Sequence, residues 1–223
     1  MFKKWLAIFK KDTLMDQAYQ RSFEMLDITL DMFREARESL RHRDDSEIDL
    51  GVKRRDKQVN SYEREVRRMV FNHLALQGTT DLSSGLALVS IIIDIERIGD
   101  YTKNMVELAL DHPGKLHGGQ VEEELGRIEE AVEDNFIQTK KCFTDEDSAL
   151  ALALLEKYAW VNDVCDDRVK DVVQEKDPSI HPGDAAALAL YVRFLKRVNS
   201  HLSNITTSVI NPFDRIGFIP KQD

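Results

Sequence analysis

The stretch D-I-E-R-I-G-D-Y-T-K-N, Asp94 to Asn104, follows the apolar run Leu86-Ala-Leu-Val-Ser-Ile-Ile-Ile93 with no proline and no turn signal between them. Ile98, Met105, Val106 and Leu108 continue the run at helical spacing. Such a pattern predicts a helix buried on most of its circumference. On that helix Glu96, Asp100 and Asn104 recur every fourth residue and share one face. Two carboxylates so placed repel each other and are costly to desolvate. Gly99 between them gives up about 1 kcal/mol of helix propensity relative to alanine, which suggests a close approach to the backbone there. A cation, or an arginine from a facing helix, would account for the acids.

Working outward, the composition supports helices throughout. Only five Pro and ten Gly occur in 223 residues, and 32% of the chain is charged, which predicts an all-α protein. A formal net charge of −9 argues against a nucleic-acid-binding face. No uncharged apolar stretch reaches the roughly 18 residues of a transmembrane helix. The early run from Phe2 to Phe9 is interrupted by Lys3 and Lys4, unlike a signal peptide. Cys142 and Cys165 have no metal-ligand spacing and fit free thiols in a reducing cytoplasm.

The helical spacing predicts six long helices, over 13–44, 47–76, from about 81 to 112, 121–143, 145–176 and 184–210. Gly78 marks a C′ position, and Thr80 or Asp81 is placed to cap the third helix. The seam of the second helix is read as Val52, Val59, Tyr62, Val66, Met69 and Phe71 or Leu74. Gly118-Gly119 in the connection after His112 marks a boundary between halves. The expected division is a basic amphipathic segment over 1–12, a first three-helix bundle over 13–114, a second over 115–211, and a tail over 212–223. In the first segment Trp5 and Phe9 lie against four lysines. It either rests on an anionic membrane surface or partner, or packs on the bundle or a neighbouring subunit.

The halves repeat. A shift of one hundred residues superimposes Arg97 on Arg197, Ile98 on Val198, Asn104 on Asn204 and Leu88 on Leu188, as expected of a duplicated three-helix unit. The chemistry is not duplicated, since Glu96 meets Lys196, Gly99 meets Asn199 and Asp100 meets Ser200.

Asp56, Asn60 and Glu63 sit at i, i+4 and i+7 beside the seam of the second helix. If the second and third helices are antiparallel neighbours, this stripe faces Glu96 and Asp100. Oxygen donors from two helices suit iron, zinc, manganese or magnesium. Solvated charges, or a pair between Arg97 and Glu63 or Asp56, are the alternatives. A ferritin-like di-iron site needs Glu-x-x-His, and none of the six histidines has Glu three residues before it. No Walker loop, dinucleotide fingerprint or nucleophile elbow is present, so no catalytic activity is expected.

The run Glu96-Arg-Ile-Gly-Asp100, with Tyr101 and Asn104 after it, resembles the signature of PhoU proteins. Arg193-Phe-Leu-Lys-Arg-Val-Asn-Ser-His201 and Asn204 look like its degenerate second copy, and Asp56-x-x-Val59-Asn60 resembles the matching motif on the second helix. The resemblance implies two tandem three-helix bundles and clusters of iron or zinc on E(D)-x-x-x-D pairs. Carried over, the metal ligands are Glu96, Asp100, Asp56 and Asn60, with Asn162 and Asp166 as second-half counterparts. Lys196 and Ser200 replace both motif carboxylates in the second half, which confines the expected metal to the first. The resemblance also implies a cytoplasmic negative regulator of phosphate homeostasis between a phosphate-specific ABC transporter and a sensor histidine kinase. An accessory role beside a sodium–phosphate cotransporter and a metal-dependent enzyme are the alternative readings. Homo-oligomerisation and peripheral membrane contact are left open.

Overall fold

The computed structural model describes residues 13–42 and 51–219. The basic segment with Trp5 and Phe9, the expected break at 44–46 and residues 220–223 lie outside the described residues. In the first half run α1 (Leu14–Arg41), α2 (Gly51–Gln77) and α3 (Leu82–Asp111). A 3-10 turn, Gly119–Val121, leads into α4 (Glu122–Asp145), α5 (Ser148–Lys157), α6 (Ala159–Val173) and α7 (Pro182–Thr207). A second 3-10 turn, Phe213–Arg215, lies in the tail.

Local chemistry sets the ends. Thr13 and Asp16 form a reciprocal capping box at the start of α1, each side chain accepting the other's backbone N–H at 3.1 Å. Gly78 takes φ +73° at the end of α2, the left-handed turn that glycine adopts without a Cβ penalty. Pro182 opens α7, two residues before the expected start, because a proline at the first helical position has no N–H to lose. Asp81 occupies the cap position of α3 but makes no capping bond. Its carboxylate instead meets buried His73 at 2.7 Å.

The duplicated unit is visible in burial. The buried, half-buried and exposed positions over 91–106 recur unchanged over 191–206. Those over 22–40 recur over 125–143, except that Asp31 is exposed and Asp134 half-buried. Equivalent helices pack on each other. Phe33 of α1 meets Phe136 of α4 with ring centroids 5.6 Å apart, and Tyr101 of α3 meets Phe194 of α7 at 6.1 Å. Helix α2 lies outside against α1 and α3, and α6 lies outside against α7. One continuous apolar core runs through both bundles, and each fully buried Leu, Ile or Phe contributes about 1.5–3 kcal/mol to it.

Two expectations about the outer helices are corrected. The expected single helix over 145–176 is two, broken at Tyr158. There the backbone leaves helical geometry (φ −107°, ψ 6°), the ring is buried, and the hydroxyl donates to Asp134 at 2.5 Å. A straight helix would not hold both anchors. On α2 the seam passes through Val66, Val70 and His73; of the two alternatives at its end Leu74 packs against the core, while Phe71 is 72% exposed.

The connection between halves is tied on both sides. Leu116 N–H donates to the carbonyl of Leu40 at 2.9 Å, and His112 Nε2 lies 2.8 Å from Asp184. Gly119 has φ +57°, and a Cβ there would fall 2.7 Å from Asp177 Oδ2 and 2.9 Å from Ile180. Here a glycine is required by conformation and by space.

Candidate functional site

Helices α2 and α3, joined by a short turn, pack side by side and bring the two acidic stripes together. Asp100 of α3 and Asp56 of α2 share one cation. Lys103 Nζ lies 3.1 Å from Asp100 Oδ1 and 3.7 Å from Asp56 Oδ1. Asn60 donates to Asp56 at 3.5 Å. Arg97 pairs along its own helix, 3.0 Å from Asp100 and 3.7 Å from Glu96, and not with Glu63 or Asp56. Glu63 pairs with Arg67 at 2.8 Å. Thus Asp56, Asn60, Glu96 and Asp100 face a common groove, as the spacing suggests, but with two cations of the chain among them.

The electrostatics record the crowding. Burial raises Glu96 above the usual carboxylate range, and the neighbouring Asp100 adds to it. Burial raises Asp56 as well, with Lys103 acting against it. For Lys103 burial pulls downward, but its bond to Asp100 and the charge of Asp56 leave it above the ordinary lysine value. A carboxyl held high in the folded state adds stability below its unfolded value, and that stability is lost as pH rises through the folded one. Glu96→Gln should therefore raise the melting midpoint at neutral pH. Its advantage over the native chain should shrink as pH falls toward about 4, which thermal melts across that window will show.

Among the described residues no three His, Cys, Asp or Glu side chains are grouped closely enough to hold a metal ion. The donor chemistry, carboxylates with one amide, suits an oxygen-seeking cation. The placement does not, because the Lys103 ammonium lies between Asp56 and Asp100. Gly99 is buried, but a Cβ there would meet Val59 Cγ1 at 3.5 Å and Thr29 Cγ2 at 3.6 Å, ordinary contact distances. Nothing requires the missing side chain. Gly99→Ala should stabilise the fold by about 0.5–1 kcal/mol, read from the urea midpoint.

The second half fills the equivalent groove differently. Lys196 of α7 reaches Asp166 of α6, and Arg193 lies 3.6 Å from the same carboxylate. Asn162 turns inward, its Oδ1 accepting from Asn199 Nδ2 at 3.1 Å. Asn199 also accepts from Asn135 at 2.8 Å, so an amide network occupies the level at which the first half has Gly99. Both cysteines are free and buried, and burial raises the thiols, Cys142 to about 11 and Cys165 to about 12. Thiols so raised are poor nucleophiles.

Two features escaped sequence reasoning. Lys103 lies inside the opening stretch, three residues after Asp100, and that i, i+3 spacing was the available signal. Asp94 bridges the halves, its Oδ1 lying 2.7 Å from His201 Nδ1 and accepting from Asn204 at 2.8 Å. His201 stacks on Tyr101 at 5.7 Å. No local spacing reveals that junction, whose partners are over a hundred residues apart.

Residues 23–109 match the family model described as the PhoU domain. The structure superimposes on the crystal structure of PhoU from Pseudomonas aeruginosa with a TM-score of 0.77 and 21% identity, covering 88% of this chain and 95% of that one. It superimposes on the phosphate transport system regulatory protein PhoU from Streptococcus pneumoniae with a TM-score of 0.76 and 17% identity, covering 88% and 93%. No curated protein sequence matches the chain. Residues 23–109, within the first bundle, therefore match the PhoU domain, and the chain as a whole shares the fold of these two PhoU structures.

Proposed function

We propose that this chain regulates phosphate uptake and phosphate-regulon signalling as a cytoplasmic adaptor, docking on membrane partners without catalysing a reaction. The observation that carries the reading is the PhoU domain over 23–109, set in a fold shared along nearly its whole length with a phosphate transport system regulatory protein. The interior supports it. Apolar side chains fill the centre, and a cavity of about 640 Å³ lies between the segment joining the two halves and the turn from α6 to α7, under Gly118, Val121, Ile180 and Leu188. None of its lining residues belongs to the acidic groove, so the carboxylates have no share in that chamber. Among the described residues no helix is long and apolar enough to cross a membrane, which fits an adaptor that visits a membrane complex. The partners of this reading are a phosphate-specific ABC transporter and a sensor histidine kinase, with a sodium–phosphate cotransporter as the alternative. Trp5 and Phe9 are the contact residues it assigns to the membrane or partner.

Deleting the gene in its host should switch on phosphate-starvation genes at high phosphate. Normal repression in the deletion strain would overturn the regulator reading. Removing residues 1–11 and measuring membrane association tests the contact separately.

A further inference from the structure

We propose that Lys103, helped by Arg97, is the resident cation of the acidic groove, and that the native protein keeps this groove without a bound metal. The inference is independent of the regulator reading. Four carboxylates line the facing stripes of α2 and α3, Asp56, Glu63, Glu96 and Asp100, and each has a cation of the chain within salt-bridge range. Lys103 serves Asp56 and Asp100 at 3.7 and 3.1 Å, Arg97 serves Asp100 and Glu96 at 3.0 and 3.7 Å, and Arg67 serves Glu63 at 2.8 Å. With a cation of the chain beside each of these carboxylates, little charge is left for a divalent ion to neutralise. An entering ion would also have to expel the ammonium that lies between the two nearest carboxylates, or bear its repulsion.

The second bundle reaches the same arrangement from other positions. There Lys196 on the third helix of the repeat grips Asp166 on the outer helix, with Arg193 beside it. In the first bundle Lys103 on the third helix grips Asp56 on the outer helix. Lys196 stands at the repeat position of Glu96, and Lys103 at that of Ser203. A lysine crossing from third to outer helix is thus present in both halves, although the residues supplying it differ. What the two grooves share is an internal positive charge.

The test uses tag-free protein purified without chelator. Elemental analysis should find iron, zinc and manganese each well below one per chain, and a chelator should leave the melting midpoint unchanged. Lys103→Met frees Asp56 and Asp100, so this variant should gain a response the native chain lacks. Zinc or manganese at a hundredfold excess over its Kd should raise its midpoint by about 5–10 °C, and adding Asp100→Asn should abolish the rise. Stoichiometric metal in the native protein that is lost from Glu96→Ala/Asp100→Ala would overturn the proposal. So would equal responses of native and Lys103→Met proteins to the added ion. If Lys103→Met does not fold, native metal content and the chelator melt decide the question alone. Gene repression by phosphate is untouched by any of these outcomes and reports on the regulator reading only.

Discussion

Arg41→Met should lower the unfolding free energy by about 3–5 kcal/mol, the cost of breaking a buried ion pair from one side. Arg41 ends α1 and is 5% exposed. Its Nε donates to Glu129 at 2.9 Å, its Nη2 to Glu122 at 2.5 Å, and its Nη1 to the carbonyl of Leu116. Glu129 is equally buried and also accepts the hydroxyl of Tyr191 at 2.8 Å. Burial, reinforced by that carboxylate, holds the Tyr191 hydroxyl well above its ordinary pKa. One guanidinium therefore joins the first bundle to α4 and to the connecting segment, and through Glu129 to α7. Methionine keeps the stem's packing and leaves buried Glu129 without its guanidinium partner. Adding Glu129→Gln to Arg41→Met should recover part of the loss, because the remaining group is then neutral. Urea denaturation of both variants measures this. A loss below about 1 kcal/mol in the single variant would mean that the guanidinium is dispensable.

Asn199→Ala should cost about 2–4 kcal/mol, through the polar groups it leaves buried and unpaired. Asn199 is 1% exposed. Its Oδ1 accepts from Asn135, and its Nδ2 donates to Asn162 Oδ1 at 3.1 Å and to the carbonyl of Tyr158 at 3.4 Å. Asn135 in turn accepts from Thr139, which meets Thr206 at 3.0 Å. The network also holds the break between α5 and α6 at Tyr158, so the variant should increase proteolysis or amide exchange near 157–159. At the repeat-related position the same final residue, Gly99→Ala, is expected to stabilise. Opposite signs at equivalent positions would show that the duplication preserved the backbone and rebuilt the interior. Equal signs would remove the network as the cause.

The fold was legible because helical burial is periodic, and the period survives in one chain without any partner being known. The run from Leu86 through Leu108 set the third helix, and the shift of one hundred residues exposed the repeat that burial then followed position by position. The reading of α5 and α6 as one helix failed because helix propensity carries no record of what a side chain is tied to. Tyr158 is pulled out by Asp134 and Asn199, one from each of two other helices. Of the two residues read as ending the α2 seam, Leu74 packs against the core and Phe71 does not, because the packed face runs through Val70 and His73.

For the groove, residue spacing alone determined that Asp56 and Asn60 share one face of α2 and that Glu96 and Asp100 share one face of α3, since i, i+4 positions share a face whatever lies opposite. What neutralises them was decided only by tertiary structure. An ammonium on a four-carbon stem reaches across an interhelical gap, and which carboxylate it reaches depends on how far α2 is offset along α3. The link from Asp94 to His201 and Asn204 belongs to the same class. Such contacts depend on distances between helices, and a periodic sequence encodes which face is turned inward but not what that face will touch.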